Sequence, residues 1–199
     1  MKNSRKLHLK FLQIAILTVI SFTIFSCDNK AKTEDSKEVA EDRNDATLEG
    51  RKNENDAEFL VDVAEINQEE INLGKLAQEK GSMTDVKELG KMMVAAHTKA
   101  YADLTALASQ KSISLPASKT EDVNEAYTKM SEKKSGKDFD KEYCDMMVDG
   151  HKEAIDKFEK ASNNSVDPDI KMMATNMLPE LRKHLEMAEM CQKKCEAMK

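Results

Sequence analysis

Apolar side chains recur at three- and four-residue steps along most of this chain, the spacing of amphipathic helices. A first stripe runs Phe59, Val63, Ile66, Leu73, Ala77, and a second runs Val86, Leu89, Met93, Ala100, Leu104, Leu107. Gly81-Ser82 separates them, which predicts an antiparallel hairpin with Ser82 and Asp85 capping its second helix. A third stripe of Tyr143, Met147, Ala154, Phe158 and Ala161 lies on a helix near residues 138–162. The fourth, near residues 168–198, carries Ile170, Met173, Met177, Leu181, Ala188 and Cys191, and Asp167-Pro168 opens it. Between the hairpins, Pro116 breaks the second helix, and Ser118 with Glu121 reads as a capping box for a short helix ending near Lys134. The expected architecture is all-α: a four-helix bundle of two antiparallel hairpins, joined by a crossover segment with a short extra helix over residues 56–199.

The start of the chain follows another pattern. Lys2, Arg5, Lys6 and Lys10 precede an apolar run from Phe11 to Phe25, the layout of a secretory signal. As a helix that run rises only about 22 Å, short of the roughly 30 Å hydrocarbon core of a bilayer. Ile24-Phe25-Ser26-Cys27 resembles the lipobox of bacterial lipoproteins, which makes residues 1–26 the signal peptide and Cys27 the lipidated first residue. Residues 27–55 are more than half charged and read as a disordered tether. The expected location is the cell envelope, on the outer membrane, with its periplasmic side and the cell surface both open. Contact with the membrane is expected through the lipid.

Loss of the four leader cations shifts the net charge from −6 to about −10, which repels phosphate backbones. No basic stripe offsets this, so nucleic acid is not an expected partner. There is no phosphate-cradling glycine loop, dinucleotide fingerprint or nucleophile motif, and the expected protein is not an enzyme.

The informative residues are polar ones inside the apolar stripes, because stripe positions face the core of a bundle. Glu70 falls between Ile66 and Leu73, His97 between Met93 and Ala100, His151 between Met147 and Ala154, and His184 between Leu181 and Ala188. All the histidines beyond the leader occupy stripes. The segment 87–97 also recurs at 141–151, each copy placing Met one turn before His: Met93 before His97 and Met147 before His151.

The segments Asp56-Ala57-Glu58-Phe59-Leu60, residues 70–77, 93–97 and 147–151, and Leu178-Pro179-Glu180-Leu181-Arg182-Lys183-His184-Leu185 together resemble the exported ferritin-like bacterial family known as domain of unknown function 4142. The resemblance implies a ferritin-like four-helix fold and no particular activity. The family usually has Asp directly before the second- and third-helix histidines, where this chain has Ala96 and Gly150.

Two readings of Glu70, His97, His151 and His184 are open: a site for Cu, Zn, Fe or Mn, or a buried hydrogen-bond network that sets helix register. The Glu-x-x-His motif of di-iron centres is absent, since Val94, Val148 and Leu181 stand three residues before the histidines. Counted from the hairpin turns, the residues on paired helices are offset by roughly 8 Å, which strains one co-ordination shell and fits two polar layers. A secondary soft-metal set is Met93, Met147, Met187, Cys191 and Cys195, with Cys144 as an odd third thiol; core filling is the competing role of the methionines. The function classes left are a metal-binding envelope lipoprotein and a non-catalytic structural or interaction protein.

Overall fold

In the computed structural model, residues 34–48 and 54–197 are described. They form six helices: α1 Ser36–Leu48, α2 Glu54–Lys80, α3 Thr84–Lys111, α4 Glu121–Glu132, α5 Lys137–Asn164 and α6 Pro168–Ala197. The leader and Cys27 lie outside the described residues. Among the described residues there is no strand, and no helix is long and apolar enough to cross a membrane.

Two hairpins, α2 with α3 and α5 with α6, make the body of the protein. α2 also packs on α5 and α3 on α6, so each long helix has two long neighbours, and α4 crosses over against α2 and α5. The hairpins cap one another. Asp140, in the first turn of α5, accepts from the backbone N–H groups of Ser82 (2.8 Å) and Met83 (2.9 Å) at the α2–α3 turn, and from the Ser82 hydroxyl. Asp56, in the first turn of α2, accepts likewise from Val166 (3.1 Å) and Asp167 (2.8 Å) at the α5–α6 turn. Each turn thus has its free amides satisfied by a carboxylate from the other hairpin.

This corrects two expected caps. The N-cap of α3 is Met83, without a side-chain cap, because Ser82 is engaged by Asp140 rather than by its own helix. At α4 the cap is Thr120, whose hydroxyl accepts from Val123 N–H, not Ser118. The start of α6 is as expected, with the Asp167 carboxylate accepting from Asp169 and Ile170.

A larger correction concerns the tether. Residues 36–48 form α1, which packs on α2 and buries Ala40, Asn44 and Leu48, one side chain per turn. The Lys37 ammonium bridges Asp62 (2.8 Å) and Glu65 (2.7 Å) of α2. Asn44 exchanges two hydrogen bonds with the backbone of Ser114, donating to its carbonyl and accepting from its N–H. The average composition is that of a solvated coil, but a narrow stripe and one well-placed amide suffice to dock the helix.

Two apolar clusters fill the interior. Phe59, Leu60, Leu104, Phe158 and Leu178 belong to one, and Leu73, Met93, Phe139, Tyr143 and Met147 to the other. On α2 and α3 the backbones touch between the hairpin turn and the middle of the bundle. A Cβ on Gly90 would lie 2.6 Å from the Gly74 carbonyl oxygen, so only glycine fits this approach.

Asn44→Ala removes both partners of the half-buried Ser114 backbone and is expected to lower stability by about 1–2 kcal/mol in urea denaturation. No change would mean that α1 is not part of the folded unit.

Candidate metal centre

The boundary between the two apolar clusters is polar on all four long helices. α2 places Asn67 and Glu70 there, α3 His97, α5 His151 and α6 His184. None of the five is more than 5% exposed. The three imidazoles face one another, with ring centroids 5.5–5.7 Å apart. One ring nitrogen of each lies within 4.8 Å of the others.

Two of the three imidazoles are held on one side by a hydrogen bond. The His97 Nδ1 sits 3.1 Å from the Asn67 Oδ1, and the His151 Nδ1 2.8 Å from the Met147 carbonyl oxygen. Both acceptors require the proton on Nδ1, which leaves the Nε2 lone pair free. His184 Nε2 faces the Glu180 carboxylate at 3.8 Å. The remaining nitrogens, His97 Nε2, His151 Nε2 and His184 Nδ1, are buried without a hydrogen-bond partner. Among the described residues six buried side-chain atoms lack partners; these three are half of them, and Glu70 Oε2 is another. A self-sufficient polar network would pair these groups with each other; here they are left open.

Electrostatics keep the ligand lone pairs available. Burial holds the His97 pKa down to about 3, with His151 and His184 adding repulsion. Burial also lowers His151 to about 4 against the opposing bond to Met147, and lowers His184. All three rings are therefore neutral near pH 7, the form that binds metal. Glu70 moves oppositely, its carboxyl pushed well above the usual range by burial and by Glu69. Its Oε1 lies 3.4 Å from His151 Nδ1.

Two openings adjoin the cluster. Between α2 and α5 a depression of about 310 Å³ is lined by Asp62, Glu65, Glu69, Asp122 and Glu153, with Lys37 and Lys157 paired to Asp62 and Glu65 at its wall, and reaches Glu70 past Gly150. A Cβ at Gly150 would meet only Glu70 Oε1, at 3.5 Å. On the other side of His97 lies an apolar cavity of about 40 Å³ bounded by Leu104, Phe158 and Leu181.

The expected four-residue set is thus divided: three histidines converge, and Glu70 stands beside His151. The expected two layers are replaced by one cluster of imidazoles. Side chains on a helix lean toward its N-terminus, so His151 on α5 leans away from the α5–α6 turn while His184 on α6 leans toward it, closing the offset counted along the backbone. Asn67 was not anticipated, although it is the polar residue one turn after Val63 in the first stripe.

The sulfur candidates separate as well. Met93 and Met147 are fully buried in the second apolar cluster, and Met187 packs at its edge. Cys191 and Cys195 come together with Cys144, and the three thiol sulfurs lie within 4.8 Å of one another. The sequence spacing pairs Cys191 with Cys195 only; Cys144 joins them through the α5–α6 packing.

No curated protein and no solved structure matches the chain. The model of the domain of unknown function DUF4142 matches residues 40–191, from within α1 through Cys191 and including the whole histidine cluster. The chain belongs to the DUF4142 family.

Proposed function

We propose that this protein is an envelope lipoprotein with a ferritin-like bundle that binds one transition-metal ion on His97, His151 and His184. The observation that carries the reading is the set of three buried ring nitrogens without partners, each opposite an oxygen that faces the ring's other nitrogen. That is the arrangement by which supporting oxygens orient histidine ligands. Three neutral imidazoles suit Zn and Cu better than Mn or Mg, and a water or small molecule would complete the co-ordination. Nitrogens around one tetrahedral ion stand about 3.4 Å apart, so modest ring rotation closes the site.

The acidic depression gives cations a route in, with Glu70 at its inner end and Gly150 leaving the way clear. One carboxylate beside the histidines is too few for a di-iron centre, so binding or scavenging of single ions is favoured over iron oxidation and storage. Lipidation at Cys27 would place α1 close to the membrane. Eight residues separate Cys27 from Ser36, a reach of at most about 32 Å.

Metal analysis and thermal unfolding of the purified protein test the reading. Zn(II) or Cu(II) at a hundredfold excess over Kd is expected to stabilise by about 2.7 kcal/mol, roughly 5–10 °C. His97→Ala and His151→Ala abolish the shift, and Asn67→Leu, which touches no metal, weakens binding about 10–100-fold. Equal stabilisation of all variants would place the ion elsewhere, and no stabilisation of the parent would leave the cluster a structural network.

Acid dependence follows from the same burial. The unfolded chain takes protons on histidine near pH 6.5, and the folded chain does so only near pH 3–4. The histidines' contribution is therefore complete above about pH 6.5 and is lost as pH falls toward 4. Glu70, with its raised pKa, acts in the opposite sense above pH 4.5, so the histidines' part is read from the difference between parent and variant. The metal-free protein should lose Tm between pH 7 and 4.5, and a His97→Gln, His151→Gln variant should lose less. Parallel pH profiles would contradict the neutral, buried assignment.

A further inference from the structure

The histidine cluster leaves unexplained a second convergence, two helical turns toward the α2–α3 turn. Cys144 of α5 and Cys191 and Cys195 of α6 are all buried, at 0%, 5% and 0% exposure. The Sγ atoms of Cys144 and Cys191 are 3.0 Å apart, and those of Cys144 and Cys195 3.6 Å. A fourth sulfur closes the group: the Met83 thioether lies 3.5 Å from the Cys195 Sγ. Met83 is the N-cap residue of α3, and Asp140 fixes its backbone through the N–H. Three thiols and one thioether therefore converge from α5, α6 and the α2–α3 turn, with their backbones set by helix packing.

A route leads to them from solvent. A depression of about 390 Å³ between α3 and α6 is lined by Met92, Met187, Met190 and Cys191, with Asp85 and Glu88 at its margin. Met190 is 54% exposed, so its thioether is within reach of solvent. The wall of the entrance and the chamber beneath it are thus built of the same donor atom.

We propose that Cys144, Cys191, Cys195 and Met83 form a binding site for a monovalent soft cation, Cu(I), reached through the methionine-lined groove. Thiolate and thioether donors together select Cu(I). Zn(II) is bound by thiolate, imidazole and carboxylate and gains little from a thioether. Charge points the same way. The groups that act on these thiols are Asp85, Asp140 and Lys194, and Lys194 is paired with Asp85. A site with no unpaired cation beside it accommodates one or two thiolates more readily than the three that a divalent ion would draw. Cys144 donates a hydrogen bond to Cys191, so the two sulfurs already face one another. Binding is a simple exchange: Cu(I) enters and one or two thiol protons leave to solvent, with no change in oxidation state.

The test is anaerobic titration of the reduced, purified protein with Cu(I) against a chromophoric Cu(I) chelator. The protein should withdraw one Cu(I) per chain, with a thiolate-to-copper absorption band in the ultraviolet and a sulfur-only first shell at the copper edge. Cys191→Ser should weaken binding by about 100-fold or more. Met83→Leu, which keeps size and apolarity and guards against a misfolded cysteine variant, should weaken Cu(I) about tenfold and leave Zn(II) affinity unchanged. His97→Ala should leave Cu(I) binding intact, which separates this site from the histidine centre. The proposal is overturned if the chelator keeps the copper, or if the cysteine variant binds as the parent does. Recovery of the protein from the envelope with Cys144 and Cys191 joined as a disulfide would overturn it too.

Discussion

Three neutral imidazoles packed against one another between two apolar layers set the terms for the rest of this molecule. Each ring carries two nitrogens, and burial removes the water that would otherwise satisfy them. Asn67 and Met147 take one nitrogen from His97 and His151, and Glu180 faces the third ring across a wider gap. What remains is three lone pairs converging in a site none of whose other groups can donate well to all of them. On the proposed reading a metal ion would take all three lone pairs, and the cost of burying the rings would be recovered in the bound state.

The surrounding structure serves this placement. Close contact at Gly74 and Gly90 draws α2 against α3 and so brings Asn67 within reach of His97. The reciprocal caps, Asp56 on the α5–α6 turn and Asp140 on the α2–α3 turn, fix the two hairpins in register with each other. Asp140 has a second consequence, since it also fixes the backbone of Met83 and with it the fourth sulfur of the thiol group. α1 covers the α2 face beside the acidic depression, where Lys37 partly neutralises Asp62 and Glu65.

The helices were legible because their stripes are regular, and the histidines because each interrupts a stripe. Their convergence was not, since residue counting follows the backbone while imidazoles lean along it by about one position. α1 was hidden by composition: Ala40, Asn44 and Leu48 make a stripe only one side chain wide, amid acidic and basic neighbours. The Ser82 and Thr120 caps were misread because local spacing cannot announce a carboxylate arriving from another hairpin, nor choose among Ser118 and Thr120 two residues apart. Cys144 and Met83 were missed as partners for the same reason: they meet Cys191 and Cys195 only through tertiary packing.

The most direct measurement is an anomalous-difference map from crystals of the protein grown with Zn(II) and recorded at the zinc edge. The account predicts a single strong peak in the bundle interior, about 2.0–2.1 Å from His97 Nε2, His151 Nε2 and His184 Nδ1. Ordered water bridging those nitrogens, with the zinc found only on surface carboxylates, would contradict it.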